Sequence, residues 1–359
     1  MAVTELAEIT ENTAAETFAE QIGDIVNSGA IAIMLSIGHR TGLFDRMAGQ
    51  PPRTSLEIAE SAGLSERYVR EWLAAMVTGG IVQYEPGSRA YHLPEAHAAC
   101  LTRGAPLGNL SVYAQFVPMA GTAQETILER FRSGDGTSYA DYPCFHTIMS
   151  EDSAQAVVDQ MFDTVLPLAA GLADRLETGI DVLDAGCGSG QALTALATRY
   201  PNSRFTGYDL CGETIETARN GASGLANIRF EQRDLTGFRD AERYDFITTF
   251  DAVHDQKDPL DLLKGIHGAL RDGGVYLMQD IGGSAHLENN IDFPFAAFLY
   301  AMSCLHCMPI SLGQGGVGLG TMWGWETAEA MLREAGFSTI DRHVLPHDPM
   351  NVWFVSRKD

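Results

Sequence analysis

The sequence predicts a mostly helical N-terminal domain followed by an α/β domain with a seven-stranded, mainly parallel sheet. In the second part of the chain, short apolar runs alternate with amphipathic segments, which is the pattern of parallel strands joined by crossover helices. In the first part, apolar residues recur at helical spacing, with only two short strand-like segments. A chain of 359 residues is long enough for two domains.

We expect three regions along the chain. Residues 1–105 form the helical domain, residues 106–150 a helical linker, and residues 151–359 the α/β domain. The α/β domain carries an insertion at residues 282–325, which is too long for a plain loop and contains an aromatic and apolar stretch followed by several glycines. Long insertions in compact domains are usually functional or disordered, and the aromatic content favours a pocket wall with a mobile glycine hinge.

The N-terminal region begins with small and apolar residues at helical spacing over residues 17–44, which predict one or two closely packing helices. Residues 54–93 then have the pattern of a winged helix-turn-helix. A short helix ends at the turn residue Gly63, Ser65 is the N-cap of a longer helix, and two short strands follow.

Charge limits the partners of the chain. It carries 24 basic and 47 acidic residues, a formal net charge of −23. The first hundred residues contain six arginines, no lysine and 13 acidic residues. This balance disfavours a large contact surface for nucleic acid or anionic lipid. No uninterrupted apolar run reaches the roughly 18 residues of a membrane span.

A glycine-rich turn at residues 184–190 follows a short buried strand and leads into a helix. Gly186, Gly188 and Gly190 permit backbone conformations closed to other residues and leave no side chain between the turn and a ligand. Asp209 ends the next predicted strand, where its carboxylate can accept hydrogen bonds from both ribose hydroxyls of a nucleotide. The ends of adjacent strands therefore predict a nucleotide-type site.

Asp184 selects among nucleotides by charge. A dinucleotide would bring its pyrophosphate to this turn, where the carboxylate would repel it. S-adenosylmethionine has no phosphate and offers an ammonium and a sulfonium, which suit an acidic site. The segments DAGCGSG, GYDL and RDL, which ends at Leu235, together resemble the S-adenosylmethionine-dependent methyltransferases of Rossmann-like fold.

The resemblance implies S-adenosyl-L-methionine as cofactor. Its amino-acid end would lie on the glycine turn, its ribose on Asp209, and its adenine beside Asp234 and Leu235. The implied cofactor residues are Asp184, Gly186, Cys187, Gly188, Gly190, Asp209, Leu210, Asp234, Leu235, Phe250, Asp251, Phe145 and Met149.

The winged helix extends the resemblance to small-molecule O-methyltransferases, in which such a domain serves for dimerisation and for covering a substrate pocket. Phe145 and Met149 match the family's Phe-Asn-x-x-Met element, although His146 stands where that element has asparagine. The resemblance therefore implies a homodimer that methylates a small, largely apolar acceptor.

The catalytic residues implied by the resemblance are His254 and Asp255, which fall on the first two positions of the family's His-Asp-Trp element. Gln256 replaces its tryptophan. A histidine is a sensible base for a phenol, whose pKa is about 10, although His254 could instead only hydrogen-bond within its loop. For its acidic partner, Glu288 and Asp292 are candidates by order along the chain alone.

We expect no metal. Cys304 and Cys307 are spaced like half a zinc site, but no second pair follows and their neighbours are apolar, so buried pocket-wall cysteines are the better interpretation. The six scattered cysteines and the polar, acidic first twelve residues favour reduced thiols in a cytoplasmic protein.

Two alternatives to a small-molecule enzyme stay open at this point. The winged helix suggests a DNA-binding transcriptional regulator with a ligand-sensing methyltransferase-like domain, which the acidic charge opposes. A methyltransferase acting on nucleic acid would need a basic channel and a motif for a flipped base, and neither is evident. The sequence leaves open the identity of the acceptor and whether the methylated atom is oxygen, nitrogen or carbon.

Overall fold

The computed structural model describes the backbone from Ala2 to Asp359 and side chains from Thr13 onward. The side chains of residues 1–12, whose polar and acidic character favours a cytoplasmic protein, lie outside the described ones. The chain divides into two compact units, Met1–Pro118 and Met119–Asp359. The boundary follows Pro118 rather than residue 105, and residues 119–150, expected as a linker, belong to the second unit.

The first unit opens with helices α1 (Ala2–Arg40) and α2 (Leu43–Met47), in agreement with the predicted helical segment. Helix α3 (Ser55–Ala62) ends at Gly63, which adopts a left-handed conformation with φ of 67°, and helix α4 (Glu66–Thr78) follows. This arrangement confirms the helix-turn-helix.

Two N-caps of the helix-turn-helix differ from each other. Ser65 occupies the N-cap position of α4, but its side chain makes no capping hydrogen bond. Thr54 instead forms a capping box with Glu57 at the start of α3, satisfying backbone N–H groups that the first turn leaves free. The Trp72 side chain of α4 packs edge-on against Phe44, with ring centroids 5.3 Å apart, in the core of this unit.

The wing is a two-stranded antiparallel sheet formed by β1 (Gln83–Glu85) and β2 (Ala90–His92). It confirms the two short strands, although both are shorter than the sequence suggested. Helices α5 (Glu95–Ala98) and α6 (Ser111–Ala114) complete the first unit.

The second unit is entered through helices and not through one long helix. The amphipathic pattern of residues 152–176 predicts one long helix here, and this prediction is wrong. Pro167 lacks the N–H that a helix interior needs, and Gly171 has a φ of 77°. The chain forms α7 (Phe116–Thr122), α8 (Gln124–Ser133), α9 (Phe145–Ser153), π-helical turns at Ala154–Val158 and Met161–Val165, a 3₁₀ turn at Leu166–Leu168, and α10 (Leu172–Thr178).

The seven-stranded sheet of this unit has the strand order β5-β4-β3-β6-β7-β9-β8. Strands β3 to β7 are parallel, and β9 lies antiparallel between β7 and β8. The predicted seven-stranded, mainly parallel sheet is confirmed. The strands are β3 (Asp181–Ala185), β4 (Arg204–Asp209), β5 (Ile228–Gln232), β6 (Tyr244–Phe250), β7 (Leu270–Ile281), β8 (Thr339–Leu345) and β9 (Asp348–Arg357).

Helices cover both faces of the sheet, as parallel strands require. One core includes Leu193 and Ile215, and the other includes Leu263 and Leu332. Because the strand order reverses beside β3, the carboxyl ends of β3, β4 and β6 border a crevice suited to a ligand. The helices that lie between the strands, apart from those of the insertion, are α11 (Gln191–Arg199), α12 (Gly212–Gly221), α13 (Pro259–Ala269) and α16 (Trp325–Ala335).

The insertion is ordered into short helices, and its glycines permit close packing. A Cβ atom on Gly313 would lie 1.9 Å from the carbonyl oxygen of Thr137, and one on Gly316 would lie 2.7 Å from Lys257. The sequence predicted a mobile hinge at these glycines. The structure shows that Gly313 and Gly316 also allow close packing of the backbone. The insertion comprises a 3₁₀ turn at Leu287–Asn290, α14 (Ala296–Met302), a π-helical turn at Ser303–Cys307, and α15 (Met308–Gly313).

Two helical stretches, Thr13–Arg40 and Ala296–Gly313, are long and apolar enough to cross a bilayer by length and composition. The sequence predicts no stretch of this length when only uninterrupted apolar residues are counted. Both helices contain polar residues, but their mean hydropathy is high enough for a membrane span. Core helices of soluble proteins pass the same test, so length and composition decide nothing by themselves.

Candidate active site

The glycine turn folds back onto the end of β4. Gly186, Gly188 and Gly190 all have positive φ, of 89°, 50° and 71°, a conformation that side chains disfavour. The backbone N–H groups of Gly186 and Cys187 both donate to the carbonyl oxygen of Tyr208, at 2.8 and 3.0 Å. The turn is therefore held by strand β4 and not by its own side chains.

Asp209 holds the turn from the other side. Its Oδ2 accepts from the N–H of Gly188 at 2.8 Å, and its Oδ1 accepts from the N–H of Cys211 at 2.8 Å. The Thr214 hydroxyl also lies 3.3 Å from Oδ1, but its nearer acceptor is the carbonyl oxygen of Cys211 at 2.8 Å. A carboxylate has about four lone-pair sites, so the two backbone bonds leave capacity for further donors. Asp209 lines the cavity beside the turn, where the remaining sites can accept from ribose hydroxyls.

Asp184 lies in strand β3. The sequence pattern had predicted it as the first residue of the glycine turn. Its side chain is buried and accepts a hydrogen bond from the Thr248 hydroxyl at 2.8 Å. Burial raises the pKa of Asp184 to about 7, the Thr248 hydrogen bond opposes this shift, and nearby Asp209 adds to it. The carboxyl group therefore holds a proton that a bound cation would displace near neutral pH.

Asp251 is the most constrained acid of the site. It has a φ of 48°, unusual for a residue other than glycine, and its buried Oδ1 has no hydrogen-bond partner. Burial, followed by the negative charge of Asp280, raises the pKa of Asp251 well above its ordinary value. Strained residues with unmet polar atoms tend to occur at functional sites.

One cavity at the carboxyl ends of the strands brings the predicted residues together. It also includes Tyr139, which precedes helix α9, and Gln314 from the insertion. Among the residues expected in the site, those that line the cavity are Phe145, Met149, Asp184, Gly186, Cys187, Gly188, Asp209, Leu210, Asp234, Leu235, Phe250, Asp251 and Asp255.

Two expected site residues do not line this cavity. A Cβ atom on Gly190 would lie 2.5 Å from the Phe230 ring, so Gly190 allows helix α11 to pack closely on the sheet. His254 is 3% exposed and lies behind Asp255, with 3.3 Å between His254 Nε2 and Asp255 Oδ1. Asp255 is the member of this pair that reaches the cavity.

The acidic partner of His254 is Asp280, at the end of strand β7. Its Oδ1 lies 2.7 Å from His254 Nδ1 and also accepts from Trp323 Nε1 at 3.0 Å. Burial lowers the pKa of His254, but the charges of Asp280 and Asp255 outweigh it, so this pKa is well above its ordinary value. Sequence order had suggested Glu288 or Asp292, whereas Asp280 was missed because it sits in a run typical of a buried strand.

Aromatic side chains form a wall on one side of the site. The Phe145 ring stacks on His306 with centroids 4.0 Å apart, and Tyr139 lies 5.7 Å from Phe145. Tyr142 is buried behind them and donates its hydroxyl proton to the carbonyl oxygen of Leu305 at 2.7 Å. These contacts join α9 to the insertion, and the rings of Tyr139 and Phe145 give the cavity an aromatic wall.

The chemistry of the cavity fits S-adenosylmethionine. Gly188 has open space where a side chain would stand, which gives a ligand access to the backbone of the turn. Asp184 and Asp251 are buried acids without a cationic partner among the described residues, and Asp209 has spare acceptor capacity. A ligand with an ammonium, a sulfonium and two ribose hydroxyls meets these requirements.

Comparison with known proteins agrees with this interpretation. Residues 29–103 match the family model of the Rv2258c-like winged HTH domain, and residues 176–336 match that of a methyltransferase domain. Methyltransferase ungE' of Aspergillus campestris is 25% identical, with 94% of this chain and 96% of that protein aligned.

Other curated relatives match over a shorter length. The ubiquinone biosynthesis O-methyltransferase of Coxiella burnetii is 29% identical over 34% of this chain. The alignment spans only 49% of that relative, so the chain covers about half of its length.

Solved structures share the fold across nearly the whole chain. Human N-acetylserotonin methyltransferase, solved with SAM, has a TM-score of 0.66 at 18% identity, with 95% of this chain and 97% of that chain covered. The mitomycin 7-O-methyltransferase MmcR has a TM-score of 0.64 at 19% identity, covering 96% and 99%. The two family models, the seven-stranded sheet and the acidic glycine-turn site lead to one conclusion: the chain belongs to the S-adenosylmethionine-dependent methyltransferases of Rossmann-like fold, with an N-terminal winged-helix domain.

Proposed function

We propose that the protein methylates a hydroxyl group of a small, largely apolar molecule. The observation that carries this proposal is the glycine turn tied to Asp209 within a cavity that also contains Asp255 and an aromatic wall. S-adenosylmethionine, when bound, supplies a methyl group made reactive by its positively charged sulfur. The residues of the chain then need only align the acceptor and remove its proton.

The walls of the cavity define the class of acceptor. Phe145 and Met149 offer apolar surface, and Tyr139 extends the aromatic wall. Gln256 and Gln314 add amide groups that can hydrogen-bond a polar substituent. A flat ring bearing a hydroxyl, such as a phenol or a quinol, matches both kinds of surface.

The proton of the acceptor passes to the Asp255–His254 pair. Asp255 lines the cavity and takes the proton, and His254 Nε2, 3.3 Å from Asp255 Oδ1, receives it in turn. Asp280 holds the imidazole through Nδ1. Because the pKa of His254 is raised in the ligand-free protein, the positive charge of the cofactor is needed to favour the neutral imidazole.

The test is a screen of phenolic and quinol-like compounds with S-adenosylmethionine, scored by the mass gain of one methyl group. His254→Gln and Asp255→Asn should abolish the gain while cofactor binding persists. His286→Gln, which changes an exposed histidine, is the matched control and should keep activity. Full activity of the His254→Gln and Asp255→Asn variants would show that another group removes the proton.

We also propose that two copies of the chain associate through helix α1. Phe18, Ile22, Ile25 and Ile33 are each more than 40% exposed and follow one another at helical spacing. Gly29 continues this stripe with open space beside it. The opposite face of the helix carries polar and acidic side chains, among them Glu20, Asp24 and Asn27. An apolar stripe of this length is best covered by the same stripe of a second copy.

A further inference from the structure

A cluster of three potential metal ligands lies behind the wall of the cavity. His254 and Asp255 come from the loop after strand β6, and Cys307 comes from the insertion. One ligand atom from each of these side chains lies within 4.8 Å of the other two, and all three residues are buried. The spacing of Cys304 and Cys307 in the sequence is interpreted as two buried pocket-wall cysteines and not as a metal site. The fold places Cys307 beside a histidine and a carboxylate.

The nitrogen–oxygen distance within the cluster matches that between two ligands of one metal ion. His254 Nε2 and Asp255 Oδ1 are 3.3 Å apart, yet Asp255 Oδ1 is buried without a hydrogen-bond partner. Two ligands of a tetrahedral zinc ion, with bonds of about 2.0 to 2.3 Å, lie about 3.3 to 3.6 Å apart. The nitrogen and oxygen already have this spacing, and the sulfur needs a shift of about 1 Å or less.

The cluster has the outer support that metal-binding histidines need. His254 Nδ1 lies 2.7 Å from Asp280 Oδ1, which also accepts from Trp323 Nε1 at 3.0 Å and from the N–H of Ile281 at 2.8 Å. A carboxylate on the second ring nitrogen fixes the imidazole and directs Nε2 toward a metal. The arrangement leaves His254 no freedom to turn away from Asp255 and Cys307.

We propose that His254 Nε2, the Asp255 carboxylate and Cys307 Sγ bind a soft divalent cation such as Zn²⁺. The nitrogen, oxygen and sulfur donors suit zinc, and three protein ligands leave a fourth position for solvent or another ligand. Asp255 lines the cavity, so this position is reached from there. Among the described residues, Asp255 and Asp280 form ion pairs with His254 only. Two carboxylates therefore share one imidazole, and their negative charge favours binding of a cation.

Cation binding has a consequence for catalysis that rests on the proposed function. The cation displaces the protons carried by His254 Nε2 and by the Cys307 thiol. Nε2 can then no longer receive the proton of the acceptor, so the bound cation inhibits methyl transfer. The binding itself is independent of the reaction and is measured without an acceptor.

The experiment titrates the full-length protein with Co²⁺ and follows the near-ultraviolet charge-transfer band of a cobalt–thiolate bond. Zn²⁺ should then displace one equivalent of Co²⁺ per chain. Cys307→Ala should abolish the band, and Asp280→Asn should weaken binding about 10- to 100-fold, as loss of outer-shell support does. Cys304→Ala, which changes the neighbouring half-buried cysteine, is the matched control and should keep the band.

A measurement of methyl transfer with and without Zn²⁺ tests the metal site independently of the proposed function. Zn²⁺ should inhibit the wild-type protein, and a chelator should restore activity. Cys307→Ala, which removes no catalytic group, should keep its activity in the presence of Zn²⁺. The site would be refuted by the absence of a thiolate band in the wild type or by a band that persists in Cys307→Ala. If no acceptor is found, the cobalt titration still decides between these outcomes.

Discussion

His254 Nδ1 and Asp280 Oδ1 lie 2.7 Å apart in a fully buried contact between the loop after β6 and the end of β7. The contact leaves Nε2 facing Asp255, which reaches the cavity. Asp280 therefore sets both the direction and the proton affinity of His254. Trp323, which donates to the same carboxylate oxygen, links this contact to the insertion.

The first prediction concerns the pH dependence of methyl transfer. His254 must be neutral to receive a proton, and Asp280 and Asp255 together raise its pKa well above the ordinary value. The rate should therefore increase as pH rises, with its acid limb shifted to higher pH than for an unperturbed histidine. Asp280→Asn removes one of the two charges and should move this limb to lower pH.

The value of kcat/KM for the cofactor over a pH series, which reports the groups of the cofactor-free enzyme, would check this expectation. Asp292→Asn, which neutralises an exposed acid of the insertion, should leave the profile unchanged. A limb at the ordinary histidine pKa of about 6.5 that does not respond to Asp280→Asn would contradict the assignment of His254.

The second prediction concerns Asp184, whose pKa is raised to about 7 chiefly by burial. A cation favours the charged carboxylate, so cofactor binding should release a proton below about pH 7 and little above it. The affinity should accordingly rise with pH through this range and then level off. Calorimetry in two buffers of different ionisation enthalpy measures the released proton.

Two variants isolate this effect. Asp184→Asn keeps the shape of the side chain and should bind the cofactor more weakly, without proton release. Thr248→Val removes the hydrogen bond that lowers the pKa of Asp184, so the rise in affinity should move to higher pH. Unchanged proton release in Asp184→Asn would place the titrating group elsewhere.

The parts of the site that were predictable from the sequence are those encoded by local pattern. Glycine spacing and the acids after β3 and β4 locate the cofactor end, because parallel strands place their carboxyl ends at one edge. Asp280 and Cys307 could not be found this way. Their roles depend on contacts with His254 and Asp255 across long stretches of chain, and each lies in a segment typical of a buried core.

Other errors had a signal in the sequence. Pro167 and Gly171 both interrupt the helix predicted over residues 152–176, and proline alone argues against a continuous helix there. The unit boundary after Pro118 had no such signal, because short helices run through this region without a change in composition.

The third prediction concerns association through helix α1. Phe18→Asp or Ile25→Asp would bury a charge in the proposed contact and should convert a dimer to a monomer of 38.8 kDa. Asn27→Asp adds the same charge on the opposite face and should leave the dimer intact. Light scattering at micromolar concentration gives the mass. A wild-type protein that is already monomeric would refute the contact.

The fourth prediction concerns DNA. Arg67 and Arg70 of helix α4 are paired with Glu71 and Glu66, the latter pair at 3.5 Å, so their charge is largely met within the helix. Phosphate contacts need unpaired cations. We expect no specific duplex binding at physiological salt, measured by footprinting on the promoter region of the gene. A submicromolar footprint that is lost on Arg67→Ala or Arg70→Ala would favour a regulator.

The fifth prediction concerns Asp209, which joins the backbone of Gly188 to the cavity. Asp209→Ala removes an acceptor for the ribose hydroxyls and the support of the turn, and should weaken cofactor binding by about 1 to 3 kcal/mol. That loss corresponds to roughly 5- to 150-fold in Kd. Asp234→Ala, at the adenine end of the same cavity, should cost less because it removes one acceptor for the adenine amine and leaves the support of the glycine turn intact.

Calorimetric titration of the wild-type protein and Asp209→Ala with S-adenosylmethionine shows whether this cavity binds the cofactor, and it requires no knowledge of the acceptor. We expect one site per chain in the wild type and the loss of affinity just given in the variant. Absence of binding to the wild type, or equal affinity of the two proteins, would contradict the assignment of this cavity to the cofactor.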